Sequence, residues 1–340
     1  VIASKRVLAA MTTAGLLVVA ACAGGVRTQD LPESPIAILR RTADEAKRRA
    51  EIVNEAKGKG SSTPAGFLHL NNLQKALGKD VSAEFADLSG HLSLLNPRTG
   101  ELKPLDAAPK GAEPIAYSPD QQQLMFRVRR GESMQLFLFD LGRNRLQPLT
   151  PPDIFVTAGT LASDGRLVYS AIRVVDTGPT MRLFLQSPGG GAPRPLTGGP
   201  VDASPVFSPD GSLVVFVGHT KEGADEIERL DPQEDDPAPR MLARGLDPVF
   251  VPDGTWIVYS AQVGREHHLW KMRPDGSGKL PLGTGSTETT DELHPAVSPD
   301  GNFVAYVSEL EGRSYLRVRR IDGTGDRALL NDGDGAWPTW

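Results

Sequence analysis

Carboxylates recur at one kind of place in this sequence. Glu113, Asp153, Asp202, Asp247, the adjacent Asp291 and Glu292, and Asp334 each stand just before a short apolar run, 40 to 49 residues apart. Gathered at one mouth of a closed structure, they would focus negative potential and draw in a cation such as calcium or a basic segment of a partner. The sequence calls for no other cofactor. Six histidines, His69, His91, His219, His267, His268 and His294, form no His-Glu-x-x-His and no Cys/His pair at zinc spacing. His267 and His268 read as the start of an outer strand, where neighbours point to opposite faces. The acidic run Asp231–Asp236 lacks EF-hand spacing and reads as a solvated turn. No Gly-x-Ser-x-Gly nucleophile elbow occurs. The expectation is a non-enzymatic binding protein. The alternatives are a carbohydrate-active or other enzyme using the mouth, or a metal- or small-ligand-binding module there.

Elements must hold these carboxylates, and composition narrows which. The chain has 340 residues, 39% hydrophobic and 23% charged, enough for a full core. Its 36 glycines and 28 prolines far exceed the usual share and suggest many short strands joined by tight turns. Lys and Arg total 37 against 42 Asp and Glu, for a net charge of −5. That balance argues against nucleic acid as a partner. The charge is uneven, +2 over residues 22–60 and −9 over residues 61–340.

Lys5 and Arg6 precede an apolar stretch, Val7 to Ala21, too short to span a bilayer. This is the pattern of a secretory signal peptide, residues 1–21. Val19-Ala20-Ala21 leads directly into Cys22, the only cysteine, so no disulfide can form within the chain. The arrangement resembles the bacterial lipobox, which implies lipidation of Cys22, a membrane anchor and a place in the cell envelope. In the lipoproteins it resembles, Ala23 after the cysteine favours the periplasmic face of the outer membrane.

Residues 22–33 then read as a tether, and 34–58 as an amphipathic helix. Ser34-Pro35 is the expected N-terminus, and Ile36, Leu39, Ala43, Ala46, Ala50 and Val53 recur at helical spacing. The helix either docks on the body or meets a partner. Residues 59–81 read as a linker with one short helix.

The body, residues 82–340, is a repeat. Ser118-Pro119-Asp120, Ser163-Asp164-Gly165, Ser208-Pro209-Asp210-Gly211, Val251-Pro252-Asp253-Gly254 and Ser298-Pro299-Asp300-Gly301 place their aspartates 44, 46, 43 and 47 residues apart. Each is followed by a β-rich run such as Leu124–Val128 or Phe303–Val307, then a second strand, then a short Leu-centred one. Four strands per roughly 45 residues is the unit of a β-propeller blade. Proline presets the turn, aspartate bonds the backbone ahead and glycine accepts positive φ.

These repeats resemble the TolB-like (PD40) propeller family; no regular Gly-His and Trp-Asp pair accompanies them, as WD40 blades would require. The resemblance implies an all-β fold of six four-stranded blades, although the motif occurs five times. Residues 336–340 match the entry to an inner strand (compare Ser204-Pro205 and His294-Pro295). Ala83–Leu88, His91–Leu95 and Leu102–Leu105 would be outer strands lacking an inner one. A sixth blade built from both termini reconciles these facts. The resemblance also implies an envelope protein partner, such as a peptidoglycan-associated lipoprotein of the Tol–Pal kind.

Overall fold

The computed structural model describes residues 25–58, 78, 90–130, 133–175, 178–220, 223–264, 266–283, 290–310, 313–332 and 335–340. The signal segment with Cys22, most of the 59–81 linker, Ala83–Leu88 and Asp334 lie outside them.

Strands arise where the repeat predicts them. In chain order they are β1 (Ile36–Arg40), β2 (His91–Leu95), β3 (Leu102–Pro104), β4 (Glu113–Tyr117), β5 (Gln123–Arg130), β6 (Ser133–Asp140) and β7 (Arg145–Pro148). Next come β8 (Phe155–Leu161), β9 (Leu167–Val175), β10 (Gly178–Gln186), β11 (Arg194–Pro195), β12 (Asp202–Phe207), β13 (Val214–His219), β14 (Asp225–Leu230) and β15 (Arg240–Arg244). The rest are β16 (Leu246–Phe250), β17 (Ile257–Val263), β18 (Glu266–Met272), β19 (Leu280–Pro281), β20 (Asp291–Val297), β21 (Phe303–Leu310), β22 (Arg313–Arg320), β23 (Asp326–Leu330) and β24 (Gly335–Thr339). Among the described residues, helix α1 (Ala43–Gly58) falls between β1 and β2.

Strands β12–β15, β16–β19 and β20–β23 form separate four-stranded antiparallel sheets. β4–β7 and β8–β11 join in one larger sheet through a parallel bridge, Met134 to Phe155. A further sheet runs β24-β1-β2-β3, so its inner strand comes from the far end of the sequence. The inner strands β4, β8, β12, β16, β20 and β24 each meet the next, and β24 meets β4. Both ends of the sequence share this sheet, and the strand beside β24 is β1, Ile36–Arg40.

The core lies between sheets. Val215 and Ile227 of one sheet pack on Ile257, Tyr259 and Met272 of the next, and Val258 and Leu269 on Val304 and Tyr306 beyond it. A sheet covered on both faces needs apolar side chains at consecutive positions, as Val214–Val217 supplies. Each fully buried side chain of this size contributes about 1.5–3 kcal/mol.

The Ser-Pro-Asp-Gly turns are built by their own side chains. The Leu213 N–H donates to Ser208 Oγ at 2.9 Å, the Ser208 hydroxyl donates to Asp210 Oδ1 at 2.5 Å, and the Ser212 N–H reaches the same oxygen at 3.1 Å. The same scheme holds at Ser118–Asp120 and Ser298–Asp300. Where the first repeat lacks glycine, Gln121 still adopts φ 60°. The serine hydroxyl holds Asp210 and Asp120 below the ordinary carboxylate range. Depressed carboxylates stabilise the fold above their unfolded value, near 3.9, and lose that contribution as pH falls through the folded value. Asp210→Ala should cost about 1 kcal/mol at pH 7 and less once acid has protonated the carboxylate, read by chemical denaturation at neutral and acid pH.

Three expectations near the N-terminus need correction. The helix does not begin at Ser34. Ile36, Ala37, Ile38 and Leu39 are all fully buried, a run suited to a strand covered on both faces, and they pair with β2 and β24. The helix starts after a capping box: the Glu45 N–H donates to Thr42 Oγ1 at 3.2 Å, and the Thr42 N–H to Glu45 Oε2 at 2.8 Å. Ala46 and Ala50 are buried as the stripe predicts, Ala43 is exposed, and the helix contacts β22. The body therefore begins at Ile36 rather than at residue 82. Nor are residues 25–33 a free tether. Val26 and Leu31 are buried in a cluster with Phe303 and Trp340, and Asp30 pairs with Arg320 at 2.8 Å.

Candidate functional site

The inner strands share a defect at one level. In β12, β16 and β20 the pairing register shifts at an X-Pro step, and β4, β8 and the β1–β24 pair carry shifts as well. The residue before proline ordinarily sits in the extended region. Ser204, Asp247, His294 and Trp337 instead take φ of 50°, 51°, 51° and 46°. Left-handed backbone at a non-glycine residue costs about 1–3 kcal/mol and survives only where its surroundings enforce it. Four such residues stand at equivalent positions around the inner ring.

Side chains link them. Asp247 Oδ2 accepts the His294 backbone N–H at 3.0 Å and lies 3.1 Å from His294 Nδ1. The His294 ring tilts at 60° against Trp337, with centroids 6.1 Å apart. Beyond Trp337, the Thr339 hydroxyl donates to the Ile115 carbonyl at 2.9 Å. Arg127 pairs with Glu113 and donates to the Thr157 carbonyl, joining β4 to β8.

Burial alone would push the Asp247 carboxyl up, yet the imidazole beside it holds the group below its ordinary range. Burial likewise opposes protonation of His294, and the Asp247 carboxylate outweighs it, so His294 stays above the ordinary histidine value. The raised histidine stabilises the fold fully below about pH 6.5, and that contribution fades as pH rises through its folded value. The lowered aspartate stabilises above about pH 3.9 and loses this as pH falls through its folded value. The stability gap between wild type and Asp247→Asn/His294→Gln should therefore peak between about pH 4 and 6.5 at about 1.5–3 kcal/mol. Urea titrations across pH check it; a gap independent of pH contradicts it.

Among the described residues, six carboxylates of the pattern take different surroundings. Glu113 is engaged by Arg127, and Asp247 sits in the inner ring with His294. Asp291 accepts the His267 backbone N–H at 2.8 Å, with His267 Nδ1 at 3.0 Å. Asp153 is exposed on the loop before β8. Asp202 is buried and accepts the Gly199 N–H at 3.1 Å; burial raises its carboxyl above the ordinary value. Its neighbour across Gly218 is Glu228, raised by burial and by Asp202. Glu292 is internal: it accepts the Leu269 N–H at 3.0 Å and binds Arg319 at 2.7 Å. Its role is to join sheets, because the pleat that exposes one member of an adjacent pair buries the other. Asp334 lies outside the described residues. The histidine pair does split, His267 toward Asp291 and His268 within 3.8 Å of Glu292.

The residues that the carboxylate pattern missed are Ser204, His294, Trp337 and Arg127. The signal for Ser204 and His294 is the X-Pro step four residues before the turn motif, and Trp337-Pro338 repeats that step. Among the described residues no group of three or more His, Cys, Asp and Glu could hold a metal ion, and no helix is long and apolar enough to cross a membrane.

No protein-family model matches the sequence, and no curated protein matches it. Solved structures do resemble its fold. TolB from Acinetobacter baumannii superposes with a TM-score of 0.63 at 16% identity over 90% of this chain, which spans 66% of that protein's length. A putative TolB from Agrobacterium tumefaciens gives 0.59 at 20% identity, over 72% of this chain and 89% of the other. Hydrazine synthase from Kuenenia stuttgartiensis gives 0.61 at 13% identity, over 91% and 46%. The fold is a TolB-like β-propeller. An enzyme shares it, so fold alone does not fix activity.

Proposed function

We propose that this chain is a non-enzymatic, lipid-anchored envelope protein whose six-bladed propeller presents the mouth around Asp247, His294 and Trp337 to a protein partner. The observation that carries the reading is the ring of strained pre-proline residues. Evolution holds costly backbone where a binding surface needs side chains at fixed angles. Trp337 there is of a residue type enriched at the centres of protein interfaces, and the Asp247–His294 pair holds the backbone beside it. The Val19-Ala20-Ala21-Cys22 sequence supports the anchor and, with Ala23, the periplasmic face of the outer membrane. A partner of the peptidoglycan-associated, Tol–Pal kind is the reading that the likeness to TolB favours.

Chemical crosslinking in intact cells tests the mouth. Asp247→Asn/His294→Gln should lose at least tenfold in adduct yield while still melting cooperatively; an unchanged yield overturns the proposal. Cys22→Ser should move the protein from the membrane fraction to the soluble fraction, and retention in the membrane contradicts the anchor.

A further inference from the structure

The N-terminal segment is pinned to one end of the propeller. Val26 and Leu31 are buried in a cluster with Phe303 and Trp340. Arginines from two sheets hold the chain between them. Arg98, in the turn between β2 and β3, donates to the Leu31 carbonyl at 2.9 and 2.8 Å and pairs with Glu33 at 2.6 Å. Arg320 pairs with Asp30 at 2.8 Å, and Arg327 donates to the Thr28 hydroxyl. Arg27 and Asp30 line one cavity together with Asp300 and Asn302 of the last Ser-Pro-Asp-Gly turn. The segment therefore runs beside the turns.

This end lies opposite the mouth. His294 stands in the middle of β20, and the Ser298-Pro299-Asp300-Gly301 turn follows its last residue, Val297. Strand β21 then returns toward the mouth over eight residues, about 26 Å. Gly25 is three residues from Cys22, a reach of at most about 11 Å. A lipid on Cys22 would keep the start of the pinned segment within that distance of the bilayer surface. Turning the mouth toward the bilayer requires the chain to cover the height of a blade, more than twice that reach. A free segment over residues 25–33 would add about 30 Å and permit either orientation, so the contacts of Thr28, Asp30, Leu31 and Glu33 decide between them.

We propose that residues 25–33 are an orienting strap, which turns the Ser-Pro-Asp-Gly end of the propeller toward the anchoring membrane and the mouth of Asp247, His294 and Trp337 away from it. The inference rests on the lipid-anchor and mouth readings above, and it names the side from which a partner must come. A partner embedded in the same leaflet meets the turns. A partner held outside that leaflet, or dissolved beside it, meets the mouth, and this is the kind that the geometry fits.

The test uses the full lipidated protein in vesicles of phosphatidylethanolamine and phosphatidylglycerol that carry a nickel-chelating lipid. A nitroxide is attached through p-acetylphenylalanine, which requires no second cysteine, at Glu101 beside the strap or at Asp153 on the loop before β8. Both positions are exposed, and they lie at opposite ends of the blades. Nickel at the headgroups should enhance nitroxide relaxation at least threefold more at position 101 than at position 153. Inserting fifteen Gly and Ser residues after Gly24 leaves every contact of the strap in place and lengthens only the reach, so the two positions should become nearly equal. Equal enhancement in the unmodified protein, a larger one at 153, or a ratio unmoved by the insertion overturns the orientation. Failure of the protein to float with the vesicles overturns the anchor and the orientation built on it, whereas flotation with equal enhancement overturns the orientation alone.

Discussion

Deleting residues 335–340 should abolish cooperative folding of the whole body. Strand β24 is held by β1 on one side and meets both β4 and β20. Trp340 is buried in the cluster of Leu31, Ile36 and Phe303, and its indole N–H donates to the Ser34 carbonyl at 3.0 Å. Emptying the Trp340 site alone costs about 3–5 kcal/mol. Removing the strand also strips the ladder from β1 and exposes the inner edge of that sheet. The sum approaches the entire stability of an ordinary domain, about 5–15 kcal/mol. Calorimetry should find no sharp transition for the deletion and a lowered but cooperative one for Trp340→Ala. A deletion variant melting with wild type would contradict closure through β24.

The second large effect belongs to Glu292. Its carboxylate and the Arg319 guanidinium are 7% and 9% exposed. Arg319 also donates to the Tyr306 hydroxyl at 3.0 Å and to the Leu282 carbonyl, lies over the Tyr306 ring, and reaches Asp326 at 3.3 Å. Burial works against the charge of Arg319, but the hydrogen bond it donates to Glu292 and the surrounding groups hold it well above its ordinary value. Glu292→Ala removes the nearer carboxylate from a buried guanidinium, leaving only Asp326 at 3.3 Å, and should cost about 3 kcal/mol. Glu292→Leu/Arg319→Met removes both charges and should cost clearly less than either single change. A double-mutant cycle in urea measures this, and additive costs would contradict the coupling.

Glu292 also illustrates what the sequence made legible. The repeat period, the turn chemistry and the sheet shared by both termini all rest on local rules and could be read from spacing. Ser208, Asp210 and Gly211 act within one turn, so their types announce their geometry. The N-terminal strand was harder. Ile36 and Leu39 fit a helical stripe as well as a strand, and only the sheet it completes, nearly 300 residues away, decides between them. Thr42 and Glu45 carried the true helix start in their spacing. The mouth was read by residue type, which located carboxylates but could not say which way each one turns. Asp247 faces His294 because the register slips at Pro248, whereas Glu292 turns inward because Arg319 waits there. The first pairing connects two sheets and the second skips a strand within one, so neither leaves a trace in the spacing of its partners.

The mouth's role is open to one direct measurement. A photocrosslinking residue placed at Ser204 in the lipidated protein, and separately at Ser212 in a Ser-Pro-Asp-Gly turn at the far end of the same inner strand, can be activated in living cells. A partner that docks on the mouth yields a discrete protein adduct from position 204, diminished by Asp247→Asn/His294→Gln, and none from position 212. An adduct from 212 with none from 204 would place the binding face on the opposite side and contradict the account.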